Sequence, residues 1–209
     1  MSNKKPLRHW VWIVSGPSGS GKTTLCEALL KDPALKKKIV KSVSYTTRPL
    51  RPGEREGRDY VHVSGRKFRE LLARGEFLEH EKIFGSYYGT PRKAVREAAK
   101  AGKDLLLCVD VKGAATVRRF FKKESASIFV LPPHLGVLSE RLQKRSTESK
   151  KDIAKRLRRV KIELSHRKDY DYVVVNDDLK EALKKLKSIV IAKRCEEGHV
   201  LHSVRKSYR

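Results

Sequence analysis

A chain of 209 residues has the size of one ordinary domain with room for small insertions, and its 39% hydrophobic and 35% charged residues fit a globular fold in water. No apolar run is long enough to span a bilayer, and Cys26, Cys108 and Cys195, odd in number and widely spaced, form neither a disulfide framework nor a metal-ligand pattern, which points to a reducing cytoplasm. The 49 Lys+Arg against 24 Asp+Glu leave a formal +25 that attracts nucleotides, nucleic acids and acidic surfaces alike, so the anion has to be identified by motif.

Residues 10–14 follow a basic start but are too few for the core of a secretion signal, and they read as the first buried strand, 10–15. A helix is predicted over 22–31. Between 40 and 89 the pattern changes to short alternating pieces such as 60–63, among Arg-Pro and Gly-rich turns, with one helical piece near 67–74. This reads as an inserted subdomain with an antiparallel sheet. Then come a helix at 91–101, a strand at 104–109, a helix at 111–121 and a strand at 127–131. A second insertion, 133–169, carries Ile153, Leu157, Val160 and Leu164 as one apolar stripe. From Arg141 to Lys168 it has twelve Lys+Arg against three Asp+Glu, a local +9. A strand at 172–175 and a helix at 178–193 precede a short basic tail. Val- and Ile-rich runs alternating with helices predict an α/β fold with a central parallel sheet flanked by helices. A single domain is expected, with a core of 1–43, 91–132 and 169–194, an insertion at 44–90, a helical lid at 133–168 and a tail at 195–209.

The strongest chemical signal is Gly16-Pro17-Ser18-Gly19-Ser20-Gly21-Lys22-Thr23, followed by Thr24. It satisfies G-x-x-x-x-G-K-[ST] directly after a strand and at the opening of a helix. Backbone N–H groups of such a loop point at phosphate oxygens, and the helix dipole favours their charge. Lys22 would neutralise the β- and γ-phosphates of a nucleoside triphosphate, and the Thr23 hydroxyl would ligate Mg²⁺. A turn that merely joins strand to helix is the bland alternative, and eight matching positions in the right context speak against it.

A phosphate loop identifies a nucleoside triphosphate, not a reaction. The inserted region supplies the second substrate. Ser42 to Glu54 reads SVSYTTRPLRPGE, followed by Gly57-Arg58-Asp59-Tyr60, and places arginines and hydroxyls near a tyrosine, the groups that hold a phosphate monoester. Gly75-Glu76-Phe77-Leu78-Glu79 and Tyr87-Tyr88-Gly89-Thr90 add a carboxylate, a phenol and a threonine.

These strings resemble those of guanylate kinases, and the likeness runs from the glycine loop through Val175-Asn176-Asp177-Asp178-Leu179. The resemblance implies a P-loop kinase that phosphorylates GMP with ATP and Mg²⁺. It implies that Ser44, Arg48, Arg51, Tyr60 and Tyr88 hold the GMP phosphate, and that Glu79, Thr90 and Asp110 read the guanine. The chemistry agrees, because guanine offers N1–H and N2–H₂ donors to carboxylates and an O6 acceptor to a hydroxyl. Neither carboxylate distinguishes ribose from deoxyribose, so dGMP is an expected second acceptor. Asp110 also stands where a helix cap belongs, a compatible role. Arg141, Arg145 and Arg156 match lid arginines that would join Lys22 and Arg48 in stabilising transition-state charge, and Asn176 and Asp177 match a segment near the adenine end of ATP.

Two positions depart from the family pattern. Cys108 stands where Leu-Asp-Ile-Asp-x-Gln-Gly has its first carboxylate, and Ser146 replaces the glycine of Arg-Gly-Thr in the lid. The first is expected to alter metal coordination through bound waters, the second to slow lid opening. A non-catalytic, guanylate-kinase-like module that binds phosphopeptides is the alternative, but such a module has no need of Lys22 and Thr23. Nucleic-acid binding is expected only as a non-specific electrostatic side activity, because no aromatic-interleaved platform accompanies the charge.

Overall fold

The computed structural model describes residues 9–138, 140 and 150–196, apart from the side chains of 150–157. In chain order the main elements are β1 (Val11–Ser15), α1 (Lys22–Lys31), β2 (Ile39–Lys41), β3 (Ser44–Thr46), β4 (Tyr60–His62), α2 (Gly65–Ala73), β5 (Phe77–Ile83), β6 (Ser86–Pro91), α3 (Arg92–Lys100), β7 (Asp104–Cys108), α4 (Val111–Phe121), β8 (Ser125–Leu131), α5 (Lys150–Ser165), β9 (Tyr172–Val175) and α6 (Leu179–Arg194). Among the described residues, no helix is long and apolar enough to cross a membrane.

β1 is apolar at four of its five residues because it is buried on both faces, as a central parallel strand must be. It pairs in parallel with β7 on one side and β8 on the other, giving a five-stranded sheet in the order β2-β7-β1-β8-β9. Successive side chains point to opposite faces. Trp12 and Val14 therefore pack with Leu25 and Leu29 of α1 and Leu186 and Val190 of α6. Val11 and Ile13 meet Ala94 and Ala98 of α3 and Val117 and Phe121 of α4 on the other side. Each fully buried Leu or Ile contributes about 1.5–3 kcal/mol.

One polar group interrupts this core. Asp104, 0% exposed, opens β7 and accepts hydrogen bonds from Trp10 N at 3.1 Å and Trp12 Nε1 at 3.0 Å. It also pairs with the Arg194 guanidinium, fastening the end of α6 to the first strand.

Residues 44–91 build a second sheet, in the order β4-β3-β6-β5. The sheet is mixed where an antiparallel one was expected: β3 runs parallel to β4 and antiparallel to β6. A two-residue hairpin reverses the chain, but residues 47–59 are long enough to carry it back to the same end. Ser64 caps α2 by accepting from Lys67 N at 3.1 Å, and Phe68 stacks on Phe77 at 4.5 Å and on Tyr87 at 5.3 Å, which holds α2 to the sheet. The predicted core strands and helices appear within about two residues, and β2 is an addition that the sequence reading lacked. Of the apolar stripe on α5, Val160 is buried and Leu164 half-buried. The expected lid arginines Arg141 and Arg145 lie outside the described residues, and Arg156 is placed only by its backbone in α5.

Candidate active site

The loop between β1 and α1 is shaped by close approach. Gly16 has φ 144°, and a Cβ there would stand 2.3 Å from the Val130 carbonyl oxygen, so a larger residue would force β8 away. Gly21, with φ 84°, turns the chain into α1. Lys22 folds back over the loop, its Nζ donating to the Pro17 carbonyl at 3.3 Å. Thr23 and Thr24 are exposed on the first turn of α1. Asn176, buried just after β9, donates from Nδ2 to the Ser20 carbonyl at 2.8 Å, so its amide braces the loop from behind.

Opposite the loop, the second sheet presents the expected acceptor-side residues. Two adjoining cavities share Ser18, Thr23, Ser44, Arg51, Tyr60, Tyr88 and Cys108, which makes them one cleft between glycine loop and second sheet. The larger is about 720 Å³, within the usual size of small-molecule sites. Arg48, only 11% exposed, is gripped by Glu54 through Nη2 at 2.7 and 2.9 Å, and its guanidinium lies 5.5 Å from the Tyr60 ring centroid. Burial pushes the Tyr60 phenol upward, so it stays a neutral donor. Ser44 Oγ and Thr90 Oγ1 stand 3.5 Å apart, linking this group to the deeper end of the cleft.

A family model described as guanylate kinase matches residues 8–193. This chain belongs to the guanylate kinase family. It is 45% identical to a guanylate kinase of Vibrio parahaemolyticus over 90% of this chain and 89% of that protein. With a guanylate kinase of Thiobacillus denitrificans it shares 46% identity over 89% and 87% of the two chains. The crystal structure of a guanylate kinase from Anaplasma phagocytophilum superposes with a TM-score of 0.78 at 33% identity, covering 96% of this chain and 95% of that one.

At the deep end of this kinase's cleft stand two carboxylates. Glu79 on β5 is 8% exposed and accepts from Thr90 N at 3.1 Å and Thr90 Oγ1 at 2.5 Å across the β5–β6 pair. Burial pushes its carboxyl up to about 7, the Asp110 charge adds to the rise, and the Thr90 bonds oppose it. Asp110, in the cleft lining, caps α4, Oδ1 accepting from Gly113 N at 2.8 Å while Oδ2 accepts from Arg159 Nη2 at 3.0 Å. Gly113 is required by contact: its Cβ would lie 2.6 Å from Glu79 Oε2.

Of the residues expected to bind, Gly16, Ser18, Lys22, Thr23, Thr24, Ser44, Arg48, Arg51, Tyr60, Glu79, Tyr88 and Asp110 line the cleft. Thr90 reaches it through Glu79. Pro17, Gly19, Ser20 and Gly21 contribute loop backbone. Glu54, Arg159 and Glu163 were missed. Glu54 was legible as the one acid in the stretch from Ser42 to Glu54, whereas Arg159 is masked by equally basic neighbours in sequence. Cys108 ends β7 beside Lys22, Lys41 and Thr23; a hydrogen bond from Cys26 and then the two lysines lower its thiol.

Proposed function

We propose that this kinase transfers the γ-phosphoryl group of ATP to the phosphate of GMP or dGMP, giving ADP and the nucleoside diphosphate, with Mg²⁺ as cofactor. One observation carries the reading: the glycine loop with Lys22 opens into the same cleft as the paired carboxylates Glu79 and Asp110. Loop amides and Lys22 hold the donor phosphates. Ser44, Arg48, Arg51, Tyr60 and Tyr88 hold the acceptor phosphate, with Glu54 fixing the Arg48 fork so that little freedom is lost on binding. Glu79 and Asp110 accept from the guanine N1–H and N2–H₂, and Thr90, its hydroxyl proton given to Glu79, acts on the base by orienting that carboxylate. An adenine, lacking the N1–H and N2–H₂ donors, would leave the base-facing lone pairs of both carboxylates unmet, which discriminates strongly.

The donors present suit Mg²⁺ carried by the nucleotide: the exposed Thr23 hydroxyl would offer a hard oxygen ligand next to Lys22, with phosphate oxygens and water as its other ligands. When bound, the ion neutralises charge on the β- and γ-phosphates. Arg141, Arg145 and Arg156 are proposed from their sequence positions to add positive charge from the lid. A phosphopeptide module is not favoured, because it has no use for a complete phosphate loop.

The reading is tested by ADP release from ATP and Mg²⁺ with GMP, dGMP, AMP, CMP or UMP as acceptor. Turnover confined to the guanine nucleotides is the expected result, and equal turnover with AMP would overturn the roles given to Glu79 and Asp110.

A pH dependence follows from Glu79. Guanine donors need the ionised carboxylate, and protonation below about 7 removes it. The KM for GMP should therefore climb as pH falls through 7, approaching about tenfold per unit, and level off above 8. The GMP phosphate titrates nearby, so the contribution of Glu79 is the part of the profile that disappears in Glu79→Gln. Identical profiles for the two proteins would refute it.

A further inference from the structure

Arg159, in α5, has a reach that helix stability does not require. At 26% exposure, its Nε donates to Glu163 Oε1, four residues on, at 2.8 Å, an ordinary pair along one helix. Its Nη2 donates to Asp110 Oδ2, 49 residues away, at 3.0 Å. The face of the same guanidinium lies 5.3 Å from the Phe84 ring centroid. Phe84 forms the tip of the β5–β6 hairpin and has φ 47°, a left-handed backbone that an aromatic residue adopts only at an energetic cost. One side chain thus meets the core at Asp110, the acceptor subdomain at Phe84 and the lid helix at Glu163.

Asp110 also sits in a crowd of acids. Glu79 and Glu81 face it from β5, Glu163 from α5, and the Tyr170 phenol from the segment before β9. Lys112 of α4 is turned to Glu81 at 4.0 Å. Arg159 is the cation bonded to the Asp110 carboxylate among the described residues. Without it the Asp110 carboxylate would stand among Glu79, Glu81 and Glu163 with no guanidinium to fix its orientation or offset their charge.

We propose that Arg159 is a positioning residue for acceptor recognition: it holds the Asp110 carboxylate in place for guanine, and couples occupancy of the base site to the placing of the β5–β6 hairpin and α5. The inference rests on the reading of Glu79 and Asp110 as the residues that meet the base. It assigns Arg159 no contact with the transferred phosphoryl group.

The experiment compares wild type, Arg159→Gln, Arg159→Lys and Asp110→Asn in full-length protein by steady-state kinetics at pH 6 to 8.5, calorimetric GMP binding and thermal melting. Arg159→Gln is expected to raise the KM and Kd for GMP about tenfold, with the KM for ATP and kcat within about threefold. The acid limb of its GMP profile, set by Glu79, should move to higher pH, because removing a cation from the cleft raises that carboxyl further. Arg159→Lys restores the charge without the fork and should recover part of the loss. An unchanged GMP KM and unchanged acid limb in Arg159→Gln, while Asp110→Asn weakens GMP, would overturn the positioning role alone. Equal weakening of both substrates together with a lower melting temperature would also overturn it, by making Arg159 merely structural. No effect of Asp110→Asn on GMP would defeat the base-reading assignment, and this inference with it.

Discussion

Lys22→Ala is expected to lower turnover with GMP by about a thousandfold or more while the protein melts within about 1–2 °C of wild type. Lys22 lies at the start of α1, and its ammonium donates to the Pro17 carbonyl of the loop at 3.3 Å. Deleting it leaves no buried partner unsatisfied, which is why the fold should tolerate the change. The reaction should not. Phosphoryl transfer offers the protein little covalent chemistry, so catalysis consists of positioning and of positive charge placed where negative charge develops. Removing a group bonded in the ground and transition states alike would raise the KM for ATP alone; a group whose bond tightens in the transition state lowers kcat. Initial rates at saturating ATP separate the two. Turnover retained within tenfold of wild type would remove Lys22 from the chemistry.

The second large effect concerns stability. Asp104→Ala should cost about 3 kcal/mol and lower the melting temperature by roughly 6–12 °C. The lost carboxylate is wholly buried and serves Trp10 N, Trp12 Nε1 and Arg194 at once. Its removal strands the Trp12 indole N–H inside the core, and the cost of an unmade buried hydrogen bond exceeds the net worth of a made one. Arg194, at 25% exposure, recovers some hydration, which keeps the figure below that of a fully buried pair. Calorimetry or denaturant titration measures it directly. A variant that melts like wild type would mean that α6 stays docked through Leu186 and Val190 alone.

Much of this arrangement was legible in the sequence because its signals are local. The glycine loop announces its own turn, strand and helix, and α1, α4 and β9 were read to the residue because an abrupt change of period marks each end. β2 was missed because three residues, IVK, hold too little alternation to register; Ile39 becomes a strand residue only through pairing with β7. The parallel β3–β4 pair escaped for a related reason, since strand direction is decided by where a thirteen-residue loop lands. Within the site, residue types were readable and partnerships were not. Glu79 was visible as a carboxylate, but its elevated affinity for a proton comes from burial and, to a lesser extent, from the Asp110 charge, both matters of tertiary packing. Asn176 was placed by resemblance near the nucleotide; the fold turns its amide onto the loop that would hold the phosphates.

The Asn176 to Ser20 bond also has a temporal meaning. It joins positions 156 residues apart, and the clasp of Arg194 on Asp104 spans a further 90. A ribosome delivers the glycine loop among the first residues and its brace among the last. Contacts so distant in sequence form late and slow the search for the native state. A nascent chain halted before β9 therefore carries the phosphate-loop sequence without its brace. Bracing of the phosphate loop arrives only once β9 has joined the sheet beside β8.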